Sequence, residues 1–281
     1  MEEIKANYHT HTYLCNHANG DVLDYVLKAI DLGFTELGFS DHNPIDLAYF
    51  DKVKLHKNYL NLNMSMDSFL NIYLKELNEV INKYKDKIKI YKGSETEFFI
   101  DDIEYYKDLR SKLDYMILGV HFYSYKGKLI NSFSEINEEN VDGYFDTIIN
   151  AIKSKLFKVI AHPDLFCVSY LNDSNTKFNK HILDRIDELC IEAIKNNVYL
   201  EFNINGIRNS KSWGYKNYKD FPYPNVKFFE YIKKYQKDGL KIIIGLDAHD
   251  PSCLNDKAIK LGLEIINKIG LKIEPYLKIN D

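Results

Sequence analysis

A chain of 281 residues with 45% apolar and 28% charged positions has enough material for a sizeable core, which excludes general disorder, and one α/β-barrel-sized domain over 1–281 is expected. The formal charge of −4, with Arg110, Arg185 and Arg208 the only arginines among 37 basic residues, argues against a nucleic-acid partner. No apolar run reaches the ~18 residues that cross a bilayer, no basic or apolar leader opens the chain, and Cys15, Cys167, Cys190 and Cys253 lack paired spacing, so a cytoplasmic protein with reduced thiols and no membrane partner is expected.

The first strand is read in IKANYHT (4–10). The amphipathic DVLDYVLKAIDLG follows: Val22, Tyr25, Val26, Ala29 and Ile30 share one helical face, Asp21 can cap the start and Gly33 can end it. Six more β-rich runs come in order: FTELGFS (34–40), KIKIYKGS (87–94), DYMILGV (114–120), FKVIA (157–161), VYLEFN (198–203) and LKIIIGL (240–246). Helical patterns separate them, and parallel strands need such crossovers, so the fold class is α/β.

Polar residues decide between an open sheet and a barrel. Just past the apolar runs stand His9 and His11, Asp41 and His42, Glu95, His121, His162, Glu201, and lastly Asp247 and His249. An open sheet would spread these at ~5 Å per strand, whereas a barrel gathers every strand C-terminus on one rim. A barrel of seven strands is expected.

Three of the nine histidines, His9, His11 and His17, fall within the first seventeen residues. In an extended strand His9 and His11 project the same way and form a chelating pair, which Asp247 and His249 repeat at the far end. A lone histidine is usually a hydrogen-bonded core or surface residue, and His56 and His181, in polar helical-looking sequence, are assigned to the surface. The other seven stand at or just after strand ends. With Glu95 and Asp247 they make nine ligands, suited to zinc, manganese or iron, and at about three protein ligands per catalytic ion they suffice for three ions, with Glu95 bridging two.

In chain order, YHTHTYLCNHANG, ELGFSDHNP, KGSETEF, GVHF, AHPD, EFNINGIR and GLDAHDP resemble the motifs of the polymerase and histidinol phosphatase (PHP) superfamily, in particular its histidinol-phosphatase branch. The resemblance runs from His9 to Pro251. It implies a distorted (β/α)7 TIM-like barrel with three divalent metals: one on His9, His11, Glu95 and Asp247, one on Glu95, His121 and His162, and one on His17, His42 and His249. It also implies that Arg208 binds the substrate phosphate, its planar fork suiting phosphate oxygens. Glu95, Asp247, His249 and Arg208 are then the residues expected to carry the reaction.

Two features depart from the motifs. LGVHFY lacks a serine before VHF, and the segment 209–224 is long and aromatic, so that Trp213, Tyr215, Tyr218 and Tyr223 either shape specificity or only pack the loop. Cys15 is read as a small packed hydrophobe before a soft ligand. Glu97, Asp164 and Glu201 either orient ligands or face water.

Three divalent cations against two ligand carboxylates leave a positive pocket for a compact dianion, and the small-molecule partner expected is a phosphate monoester. The reaction expected is hydrolysis of L-histidinol phosphate by a hydroxide bridging two ions, without a phosphoenzyme. Alternatives are a phosphoesterase acting on nucleotides, a nucleic-acid end or other small phosphate esters, and a metal-binding sensor without turnover.

Overall fold

The computed structural model describes residues 4–44, 64–171 and 178–279. In chain order the strands are β1 (Ala6–Asn7), β2 (Glu36–Phe39), β3 (Lys89–Lys92), β4 (Glu95–Thr96), β5 (Ile117–Leu118), β6 (Phe122–Tyr125), β7 (Lys128–Asn131), β8 (Val159–Ile160), β9 (Tyr199–Asn203) and β10 (Lys241–Gly245). Each of the seven expected runs contains one of them. β1, β2 and β3 pair in that order, and β10, β9, β8, β5 and β4 form a second sheet, every pairing parallel.

The chain passes directly from β3 to β4, and single bridges link the two sheets. His42 bridges Glu95 on one side and Thr10 bridges Ala248 on the other. The second seam is held by Ala248 N–H donating to the His9 carbonyl (3.1 Å) and His11 N–H donating to the Ala248 carbonyl (2.8 Å). Below it the Leu246 N–H donates to the Asn7 side chain at 2.9 Å. The seven expected runs thus form two parallel sheets that meet only at isolated bridges, and the continuous ladder of a closed barrel is not formed among the described residues. The seam residues are the ones that adjoin His9, His11 and Asp247.

Strand residues alternate between two cores, as in parallel strands buried on both faces. Tyr115, Ile117, Val159, Tyr199 and Ile243 join Ala6, Tyr8 and Tyr91 in one buried cluster. Their neighbours Leu118, Ile160, Leu200, Phe202, Ile242 and Ile244 belong to a larger cluster with residues of the helices. The Tyr115 hydroxyl donates to the carbonyls of Tyr8 (2.6 Å) and Phe39 (3.2 Å), tying three strand segments together from inside. Each fully buried side chain of this size contributes about 1.5–3 kcal/mol of transfer free energy.

The helix Val22–Asp31 forms as its pattern requires. Asp21 and Asp24 make a reciprocal capping box, Val22, Tyr25, Val26 and Ala29 are buried, and Gly33 follows with φ of +72°. Helices Val141–Lys153 and Lys180–Lys195 also lie between strands in sequence, Lys257–Ile269 follows the last strand, and all three contribute to the larger core.

One element was not anticipated: the antiparallel hairpin of β6 and β7, placed directly after His121. Its turn is Lys126–Gly127, both with positive φ, the two-residue geometry that matches strand twist. Among the histidines assigned to the surface, His181 is exposed and lies 2.9 Å from Asp142 Oδ1. His56 lies outside the described residues.

Candidate metal centre

The C-terminal ends of the strands carry the expected ligands into one cluster. His9 Nε2 and His11 Nε2 are 3.1 Å apart, and Asp247 Oδ1 lies 3.6 and 3.4 Å from them. Glu95 spans the centre. Its Oε2 is 3.4, 3.3 and 3.4 Å from nitrogens of His9, His11 and His42, while its Oε1 is 3.0 and 3.6 Å from Nε2 of His162 and His121. His17 Nε2 and His249 Nε2 meet at 3.0 Å. Ligand atoms of His9, His11 and Asp247, of Glu95, His121 and His162, and of His17, His42 and His249 form three compact groups, each within 4.8 Å.

The chemistry of this set fits divalent cations. Asp247 Oδ1 is buried and has no hydrogen-bond partner, although imidazole nitrogens of His9, His11 and His249 stand 3.6, 3.4 and 3.3 Å from it. So many lone-pair donors converging with so few protons between them need a positive centre. Backbone geometry is bent to the same end: His162 and Asp247 hold φ of +31° and +46°, left-handed values that cost non-glycine residues about 1–3 kcal/mol unless neighbours enforce them.

Those neighbours are identifiable. Glu201, buried on β9, accepts from His9 Nδ1 (2.7 Å), from the His162 backbone N–H (3.0 Å) and from Asn203 Nδ2 (2.8 Å). Asn203 and Asn205 both donate to Asp247 Oδ2, at 3.1 and 3.3 Å. Glu97 accepts from His121 Nδ1 at 2.8 Å. Such carboxylate partners fix the imidazole tautomer and raise its donor strength. Glu97 and Glu201 therefore orient ligands, whereas Asp164 accepts from the Asn225 backbone N–H and touches no ligand. Asp41 also stays outside the cluster, accepting from Thr12 N–H and Oγ1 at 2.7 Å each.

Electrostatics follow from burial and these pairings. Burial by itself would raise Glu95 and Asp247, yet His9 beside both, with His121 and His11, holds their carboxyls well below the usual range. Burial opposes charge on His121, but Glu95 and Glu97 push it up to about 9. His9 and His11 rise well above their ordinary value against the same burial, through Glu201, Asp247 and Glu95. Burial and the nearby charge of His11 push His249 down to about 3 and His42 well below its ordinary value.

Two glycines make room for the braces. A Cβ at Gly245 would lie 1.6 Å from Glu201 Oε1, and one at Gly119 would lie 2.4 Å from Glu95 Oε1. The second contact gives a physical reason for the missing serine: a side chain there would push on the central carboxylate.

Arg208 is not brought to the cluster. Its Nε donates to Asp256 (2.7 Å), and its Nη atoms donate to the carbonyls of Leu246 (2.7 Å) and Cys253 (3.0 Å). The fork expected at a phosphate is turned instead onto the segment that follows β10, and it is absent from the cavity lining. Cys15 is fully buried, and its Sγ lies within 4.8 Å of ligand nitrogens of His11 and His249, so it packs beside the cage.

The cluster forms the floor of a cavity of about 870 Å³. One wall comes from the hairpin and the turn after it, with Phe122, Phe133 and Glu135, and another from Asn205, Asn209 and Tyr223. Of the four loop aromatics singled out in the sequence, Tyr223 alone lines the cavity among the described residues; Trp213 packs on its ring at 5.9 Å. Tyr215 and Tyr218 pack against the larger core. The hairpin wall was missed, although YKGK between alternating apolar residues is a legible turn signal.

The PHP domain model matches residues 7–205. A probable histidinol-phosphatase of Deinococcus radiodurans is 25% identical over 252 residues, covering 86% of this chain and 85% of that protein. The histidinol-phosphatase of Bacillus subtilis is 26% identical over 234 residues, covering 75% and 84%. Among solved structures, the histidinol phosphate phosphatase of Lactococcus lactis, complexed with zinc, L-histidinol and phosphate, aligns at a TM-score of 0.69 and 18% identity, covering 97% of this chain and 96% of that one. No described helix is long and apolar enough to cross a membrane.

Proposed function

The chain belongs to the PHP domain family, and on that premise we propose that it is a metal-dependent phosphomonoesterase hydrolysing L-histidinol phosphate to L-histidinol and phosphate. The observation that carries this reading is the convergence of three ligand groups on the floor of one cavity, with Glu95 between two of them. The naming of the two bacterial relatives supports the choice of substrate.

Three divalent cations, held by His9, His11 and Asp247, by Glu95, His121 and His162, and by His17, His42 and His249, would supply an activated water and neutralise phosphate oxygens. Glu95 offers one oxygen to each of two groups and so sets their separation. Asp247, held by Asn203 and Asn205, fixes the pair at the seam. His17 and His249 stand at the more open edge, where a phosphate entering from the cavity would first arrive. Arg208 supports this geometry at a distance, by anchoring the segment that follows Asp247.

Purified protein supplied with manganese or zinc should release phosphate from histidinol phosphate faster than from an aryl phosphate or a nucleoside monophosphate, and chelation should abolish it. Equal rates on all three would refute the substrate assignment, and a preference for the nucleotide would favour the alternative phosphoesterase.

A further inference from the structure

The cavity is lopsided in charge. Among its described lining residues Glu135 is the one formally charged side chain outside the cage, and it shares its wall with Phe122, Leu129 and Phe133. This carboxylate is placed, not loose. The Asn131 backbone N–H donates to Glu135 Oε2 at 2.7 Å, and the Glu135 N–H returns to the Asn131 carbonyl at 2.9 Å. Asn140 Nδ2 donates to the Glu135 carbonyl at 2.8 Å.

The same turn is fastened to the metal centre. The Ser132 N–H donates to the His121 carbonyl at 2.8 Å, and the Phe133 ring lies parallel to the His121 imidazole, 2° off, with centroids 6.0 Å apart. The turn that carries Glu135 is thus placed beside His121 by one backbone bond and one ring contact. Glu135 Oε1 has no hydrogen-bond partner among the described residues and is available to a ligand.

Resting on the phosphomonoesterase reading above, we infer that Glu135 is a specificity-determining residue, its carboxylate receiving an ammonium group on the alcohol portion of the ester. The phosphate lies toward the cage and the cationic end toward the hairpin wall. There a charge-assisted hydrogen bond and the faces of Phe122 and Phe133 both favour a cation. A second anionic group in that position meets like charge and is disfavoured.

The test compares an aminoalkyl phosphate with the alkyl phosphate of equal chain length, beside histidinol phosphate, in metal-loaded protein. The wild type should prefer the amine in kcat/KM by about tenfold, the size of one charge-assisted contact, with the difference lying in KM. Glu135→Gln should bring that ratio to about one, and Glu135→Lys should invert it, with metal content and Tm measured for each variant. A ratio identical in wild type and Glu135→Gln, or an equal loss on both esters, overturns the inference. If histidinol phosphate is no better than a generic ester while the amine preference still depends on Glu135, the substrate assignment falls and the role of Glu135 stands. The reverse pattern separates them the other way.

Discussion

The floor of the cavity and its hairpin wall are built on different principles. The floor draws single residues from segments spread between His9 and His249, most of them buried, with His9 and His121 braced by carboxylates and Asp247 by amides. The wall is a short local excursion, β6, β7 and the turn to Glu135, more exposed and held by bonds among near neighbours. A site built this way can change what it binds without disturbing how it reacts, since the wall touches the floor mainly through His121. The contrast can be attacked from either side.

The largest effect is expected on the floor. Asp247→Ala removes the carboxylate shared by the first and last strand ends, and phosphate release should fall on the order of 10³-fold while the circular dichroism spectrum keeps its α/β character. Retained activity would separate the cage from catalysis.

Next comes a brace. Glu201→Gln keeps the shape but loses the charged partner of His9, and a drop of about 10–100-fold in metal affinity or activity is expected, read by metal titration. An unchanged affinity would mean that the floor does not depend on its support.

Metal loading should also be proton-linked. Glu95 and Glu97 raise His121 to about 9 in the metal-free cage, so it is protonated at neutral pH, whereas burial and nearby charge lower His249 to about 3 and leave it neutral. Ligation needs the neutral imidazole, so binding near pH 7.5 should release protons, and apparent affinity should rise with pH through the His121 value of about 9. Calorimetry in buffers of different ionisation enthalpy checks this. For the metal-free protein the sign is opposite: stability from the charged His121 pair is complete below the ordinary value of 6.5 and is lost as pH rises through about 9.

The smallest catalytic effect is expected away from both regions. Arg208→Gln should lower stability by about 1–3 kcal/mol, since a partly buried guanidinium holds Asp256 and two carbonyls, yet leave KM within about twofold. A large rise in KM with unchanged Tm would restore Arg208 to the phosphate.

How much of this was legible in the chain depends on the range of the interaction. The seven strand runs and the first helix could be read because apolar periodicity and capping are local. The gathering of nine candidate ligands could be read because strand ends on one rim leave few places for them to go. The role of Arg208 could not. Only the fold reveals that Asp256 and the carbonyls of Leu246 and Cys253 stand within its reach, and a guanidinium takes the nearest acceptors. The bracing of His9 by Glu201 spans 192 residues and leaves no pattern in either segment.

The amino-acid sequence by itself determined the inventory of candidate ligands, the alternation of strand and helix and the family to which they point, because residue type and short-range spacing are enough for these. The tertiary structure alone decided which groups face one another across the seam and which carboxylates brace and which stand apart. It also decided where the one charge of the far wall is held. Those outcomes depend on distances between remote segments, and only the folded chain sets them.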